Sequence, residues 1–288
     1  MLKSSGPLED PISADAGMAP TVRSGHGSAL RRAAIVWIGR LLILLAICGG
    51  WEWAARSGLG NPVFIGTPSQ IIVSFVDAIS GSVLTTDAVA TVVSTLIGFL
   101  IATIAGIAMA MLLTQVPVID EMVQPFFTAL NSMPRVALAP LFIMWFGVGM
   151  ESKIALSASL VFFVVLLNTM AGIQGVDRDH LTLARTLGAS PSRIFFRIKL
   201  PSAIPSIFAG IELGMIYGFL GTVAGEMLAG HAGIGVRLQE YSGLFKTNEF
   251  FAALLLLVCI TTAISVLLRI ARRRLLRWQN LGVGKLED

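Results

Sequence analysis

The chain has 288 residues, 55% of them hydrophobic and only 13% charged, with a mean hydropathy of +0.80. The charged share is about half that of a soluble domain, and the apolar runs are longer than the roughly 10–14 residues of a buried soluble helix, so a water-soluble globule is excluded. The net charge of +4 and pI near 9.4 do not point to nucleic acid, because the basic residues gather in short segments between apolar runs, as in cytoplasmic membrane loops.

Residues 1–29 are rich in Ser, Gly, Pro, Ala and Asp and are expected to be a disordered tail. They do not read as a signal peptide, whose basic end and apolar core would come first. Six apolar runs follow, at about 33–55, 88–114, 122–148, 154–174, 203–228 and 250–268, each long enough to cross a bilayer. The third carries one charge, Arg135, and the fifth carries Glu212 and Glu226. Pro134 and Pro140 are expected to interrupt the third run. Trp37, Trp51, Trp53 and Trp278 lie near run ends and read as interface anchors, with Trp145 a further candidate. Cys48 and Cys259 sit inside apolar runs and read as small buried hydrophobes.

With the N-terminus placed inside, fourteen Lys and Arg residues from Arg23 to Lys285 fall in inside segments and four in outside loops. The bias predicts six spans with both termini cytoplasmic. Gly98, Ala102, Gly106 and Ala110 recur every fourth residue, as do Ser206, Gly210, Gly214, Gly218 and Thr222. Such small-residue faces suit either helix packing within the chain or a pore or dimer contact.

No GxxxxGK[ST] phosphate loop occurs, so the chain is not expected to bind nucleotide. His26, His180 and His231 fit no metal spacing. No catalytic string or buried acid–histidine relay is present, which disfavours an intramembrane enzyme or a proton-coupled carrier.

Residues 177–201 read as two short helices on the inside. Leu181, Ala184 and Leu187 form one apolar stripe, and Ile194, Phe195 and Ile198 a second beside Arg193, Arg197 and Lys199. Gly188 suits a helix end, Ser190 an N-cap and Pro191 a first helical residue. Either a partner docks here or the segment lies on the membrane surface. Arg135, near mid-membrane, reads either as an anion-attracting or gating residue, or as a structural group that caps freed carbonyls or pairs with Glu212 or Glu226.

The segment Thr182-Leu183-Ala184, three residues, Gly188, nine residues, Ile198-Lys199-Leu200-Pro201 resembles the "EAA loop" of bacterial ABC-importer permeases. Thr182 and Leu183 depart from the Glu-Ala of the pattern, so an apolar rather than an ionic contact is expected. The string from Ser132 to Gly149, Phe64-Ile65-Gly66-Thr67-Pro68, and Gly225-Glu226-Met227-Leu228 with Gly233-Ile234-Gly235 resemble the nitrate/sulfonate/taurine/bicarbonate branch.

The resemblance implies an all-α integral membrane protein with the type I ABC-importer permease fold in the bacterial inner membrane. With the disordered cytoplasmic tail at 1–29 and the first transmembrane helix at 30–60 read from composition and the apolar runs, the resemblance gives a permease core at 61–280 and leaves a C-terminal tail at 281–288. It also implies a pore subunit with no cofactor of its own, ATP and Mg being bound by a partner ATPase. That ATPase would seat on Thr182, Leu183, Ala184, Leu187, Gly188, Ala189, Ile198, Leu200 and Pro201. The remaining implied partners are a periplasmic solute-binding protein, a second permease copy and lipid, and the solute is expected to be a small anion. Arg135, Glu212 and Glu226 are candidates for its pathway. Competing readings are a self-sufficient carrier or channel, and a membrane anchor without a pore.

Overall fold

The computed structural model describes residues 26–58 and 62–276. The chain divides into two compact units, Met1–Trp51 and Glu52–Asp288, within its first helix. That helix, α1 (His26–Arg56), is one unbroken apolar rod over Ala34–Arg56. It starts four residues inside the stretch expected to be a tail. Residues 1–25, Trp278 and the tail expected at 281–288 lie outside the described residues.

The second unit continues through α2 (Pro62–Ile65), α3 (Pro68–Ser80), α4 (Ser82–Gln115), α5 (Pro117–Ser132), α6 (Ala139–Phe146) and α7 (Met150–Gln174). It then runs through α8 (Arg178–Thr186), α9 (Pro191–Ile194), α10 (Leu200–Ala229), α11 (Ile234–Gly243) and α12 (Thr247–Leu275). A 3-10 turn at Arg135–Leu138 precedes α6, and a π turn at Phe195–Lys199 joins α9 to α10. No strand occurs among the described residues.

Helices α4, α7 and α10 make the centre of this unit. Phe99 and Ala102 of α4, Val161 and Val165 of α7, and Met215 and Phe219 of α10 form one buried cluster. In a bilayer the lipid is as apolar as these side chains, so close approach and interhelical hydrogen bonds must hold the helices together. The small-residue faces supply that approach. A Cβ at Gly106 would stand 2.9 Å from the Phe162 carbonyl oxygen, and one at Gly210 would stand 2.7 Å from Asn168 Cβ. Thr95 Oγ1 bonds Thr222 Oγ1 at 2.9 Å, and Ser157 Oγ donates to the Gly218 carbonyl at 3.1 Å. Both faces therefore pack within the chain.

The third apolar run, expected as one span over 122–148, is broken. Among the described residues five helices are long and apolar enough to cross a membrane, and the count reaches six when the pair Pro117–Ser132 and Arg135–Phe146, bent by 88°, is one span. Pro134 lacks the N–H that would continue α5, and its ring holds Met133 extended at φ −73°, ψ 136°. Pro140 falls in the first turn of α6, where a missing N–H costs nothing. The other runs hold, with longer ends than apolar residues alone indicate.

Candidate functional site

Three features of the second unit combine polarity with position. The first is the segment between α7 and α10. Asp177 starts α8 by accepting the Asp179 N–H at 2.8 Å. The helix ends in a Schellman arrangement: Ala189 N–H bonds the Ala184 carbonyl at 3.0 Å and Gly188 N–H bonds that of Arg185 at 2.9 Å. Gly188 sits at φ +76°, which a residue with a Cβ adopts only at a cost, yet nothing lies within 4 Å of where that Cβ would be. Ser190 accepts the Arg193 N–H at 3.4 Å, with Pro191 at the first helical position.

The two apolar stripes face different ways. Leu183 and Leu187 are 58% and 77% exposed, whereas Ala184, expected to project outward with them, is 8% exposed. Helical geometry turns position 184 about 100° away from 183. In the second stripe Ile194 and Phe195 are buried, Phe195 in a cluster with Ile173 of α7 and Ala203 and Ile207 of α10. Ile198, Leu200 and Pro201 are half-buried at the junction with α10, as is Ala189; Thr182 is exposed and bonds back to the Arg178 carbonyl at 2.9 Å. A cleft of about 380 Å³ separates this segment from the end of α4, lined by Gln115, Arg185, Ala189, Pro191 and Lys199 among others.

The second feature is the break after α5. Arg135 Nη2 donates to Asn131 Oδ1 at 2.6 Å, and the guanidinium lies 4.1 Å over the Phe163 ring. Glu212 and Glu226, its other possible partners, are engaged elsewhere. Glu212 meets Arg272 at 3.4 Å on the flank of α12. The structure therefore does not bring Arg135, Glu212 and Glu226 together.

The third feature surrounds Glu226 at the end of the bundle opposite the α7–α10 segment. Glu226 is 1% exposed. Its Oε2 accepts the Gly235 N–H and faces Thr91 Oγ1, each at 2.9 Å, while Oε1 stands 3.7 Å from Lys153 Nζ. Lys153 also donates to the Ala232 carbonyl. Thr91 Oγ1 accepts the Ile234 N–H at 2.8 Å. Asp87 accepts the Gly233 N–H at 2.8 Å and Arg237 Nε at 2.6 Å. The Asp87 carboxylate holds the Arg237 guanidinium above its ordinary pKa.

Two acids and two bases from α4, α7, α10 and α11 thus balance around one turn, residues 230–235. Every turn amide from 233 to 235 is taken by a side chain, so burial is compensated. Gly233 stands at φ +122°, and a Cβ there would overlap the Glu226 carboxylate. Asp87, Thr91, Lys153 and Arg237 escape the sequence reading because each looks like an ordinary residue at the edge of an apolar run. Their convergence depends on how far each helix extends.

Residues 102–279 match the family described as "Binding-protein-dependent transport system inner membrane component". The riboflavin transport system permease protein RibX of Chloroflexus aurantiacus is 31% identical over 264 residues, covering 91% of this chain and 96% of that protein. The taurine transport system permease protein TauC of Escherichia coli is 28% identical, covering 86% and 91%. The putative aliphatic sulfonates transport permease protein SsuC of Bacillus subtilis is 29% identical, covering 86% and 90%. Among solved structures, inward-facing MetNI methionine ABC transporter superposes with a TM-score of 0.50 at 19% identity, over 66% of this chain and 90% of the other. That likeness carries the helical fold, and the type I permease architecture read from the sequence holds. With its family matched and its apolar helices in place, the chain belongs to the binding-protein-dependent transport family, as a multi-pass inner-membrane permease component of an ABC importer.

Proposed function

We propose that this chain forms the translocation pathway for a small anionic solute of the sulfonate or taurine kind. A separate ATPase seated on residues 177–201 drives it, a periplasmic binding protein delivers the solute, and a second copy completes the pore. Both termini are cytoplasmic in this reading.

One observation carries the coupling: Leu183 and Leu187 stand exposed beside a left-handed glycine, among charged neighbours, at one end of the bundle. Burying two such side chains in a partner's cleft is worth about 1.5–3 kcal/mol each. Force applied there has a rigid route inward. The π turn makes α9 continuous with α10, and Phe195 anchors that junction between Ile173, Ala203 and Ile207. A displacement that reaches α9 across the Gly188 turn is therefore passed on to α10 against α7.

The anionic solute is favoured by Arg135, the only charge between Glu121 and Glu151, held at the break of a spanning segment. Relatives named for taurine and aliphatic sulfonates agree with it. Relatives named for riboflavin and formylaminopyrimidine supply the contrast for a test. The chain is reconstituted in vesicles with its ATPase and binding protein, and ATP-dependent uptake of labelled taurine, an alkanesulfonate and riboflavin is compared. Uptake of a sulfonate is expected. Uptake of riboflavin alone removes the anion, and uptake by the chain without ATPase removes the coupling and restores the self-sufficient carrier.

A further inference from the structure

Helix α5 has three faces. At about 100° per residue, Ile119, Val123 and Phe127 form the face that packs. Ile119 and Phe127 pack against the cluster of Ala110, Leu113 and Leu166, and Phe127 meets Phe163 edge-on at 5.8 Å between centroids. Val118, Met122, Phe126 and Leu130 form a second face, 47–69% exposed and wholly apolar. Glu121, Gln124, Thr128, Asn131 and Ser132 form a third, also exposed, within an arc of about 100°.

Hydrocarbon accommodates the second face but not the third, because exposed amides within the 122–148 run lose their hydration. Thr128 and Ser132 recover part of the loss by donating back to the Gln124 and Thr128 carbonyls, at 2.9 and 2.8 Å. An amide side chain has more donors and acceptors than one neighbour can meet. Asn131 Oδ1 receives Arg135, which leaves the Asn131 NH₂ to be solvated. The polar face leads along α5 to the guanidinium at the break.

We propose that Gln124, Thr128 and Asn131, with Arg135 at their head, line a water-filled path for the solute. The ligand class is a small anion with a sulfonate or carboxylate head. Arg135 supplies the charge and the amides and hydroxyl supply replaceable hydrogen bonds. The assignment rests on the chain being a translocation subunit. A second copy is the poorer occupant. Copies in one membrane are related about the membrane normal, so α5 would meet its twin in parallel at such a contact. Glu121 would then oppose Glu121, and Arg135 would oppose Arg135, with no opposite charge to meet.

The test uses the assembled transporter in vesicles, with Cys48→Ala and Cys259→Ala removing the described free thiols. Single cysteines replace Gln124, Thr128 or Asn131, with Met122→Cys and Phe126→Cys as controls. The probe is the anionic reagent 2-sulfonatoethyl methanethiosulfonate. The three polar-face thiols are expected to react about tenfold or more faster than the controls, because the reactive thiolate forms only where water reaches. Modification at Asn131→Cys is expected to abolish uptake. Equally slow reaction at all five positions overturns the path. So does oxidative cross-linking of two copies through Thr128→Cys together with silence towards the reagent. ATP-dependent uptake by the cysteine-free background separates the two readings. Uptake with silent thiols defeats this assignment alone, whereas absence of uptake defeats the translocation reading and this assignment with it.

Discussion

Lys153 Nζ stands 3.7 Å from Glu226 Oε1, with the two side chains only 6% and 0% exposed. An ion pair this deep gains little over an apolar pair, but removing one partner strands the other's charge, typically at about 3–5 kcal/mol. Lys153→Met and Glu226→Gln should each lower the melting temperature of the detergent-purified protein strongly. The double variant should lose less than the two single losses added together, since it leaves no unpaired charge. Strictly additive losses would mean that the pair does not act as one unit.

The same turn separates two kinds of glycine requirement. Gly233 and Gly188 both have positive φ, worth about 1–2 kcal/mol against a residue with a Cβ. Only at Gly233 does the new atom strike something, the Glu226 carboxylate. Gly233→Ala should sharply reduce extractable folded protein, and Gly188→Ala should reduce it little. Gly188→Asn should be milder still, because Asn tolerates the left-handed region. Comparable yields from Gly233→Ala and Gly188→Ala would show that the turn relaxes around the added carbon.

These contrasts mark what the sequence discloses. The five unbroken spans and the Gly188–Ser190–Pro191 punctuation are local or periodic, so they are legible. The bend at Pro134 was legible as an interruption but not as an 88° turn, because a proline states that a helix stops and not where the chain goes next. The Glu226 cluster joins positions 87, 91, 153 and 233–237. No periodicity links residues on four helices. The outward face of α8 is half legible: of Leu181, Ala184 and Leu187, only Leu187 is exposed, Leu181 is half-buried and Ala184 faces inward, and Leu183 takes the outward place beside Leu187.

Arg135 offers a planar cation to the Phe163 ring and a directed N–H to Asn131. Lysine keeps the charge but cannot do both at once. Arg135→Lys should retain part of the uptake and Arg135→Gln almost none, both at near-normal extracted yield. If yield falls equally in the two variants, the residue is structural. Full uptake by Arg135→Gln removes it from the pathway.

Orientation can be read at the end of α12, whose last turn carries Arg272, Arg273 and Arg274. Cations there suit both the helix terminus and the cytoplasmic leaflet. A reporter fused after Leu275 should be active only in its cytoplasmic form. Periplasmic activity would reverse the topology and move residues 177–201 to the wrong side for an ATPase.

The docking segment allows a separation of surface from core. Leu183 and Leu187 are exposed and Gly188 opens onto free space, whereas Ala184 faces inward. An aspartate at Leu187 or Gly188 buries nothing inside the chain: an anion at the exposed C-terminal end of α8 costs only about 0.3–1 kcal/mol, and Asp is among the residues that accept a left-handed backbone. An aspartate at Ala184 must be buried without a partner, which destabilises the segment itself. Leu187→Asp and Gly188→Asp should therefore abolish uptake and co-purification with the ATPase while the permease stays in the membrane at normal abundance. Ala184→Asp should lose uptake together with part of its yield. With Thr182 and Leu183 where the family pattern has Glu and Ala, the proposed ATPase contact is an apolar one, so raising the salt should weaken the complex only modestly. A segment that merely lies on lipid would give the opposite pattern: Leu187→Asp would change membrane partition and leave ATPase recovery untouched. Recovery of the cognate ATPase on immobilised wild type, Leu187→Asp and Gly188→Asp decides the matter, and equal recovery with equal uptake would remove residues 177–201 as the coupling surface.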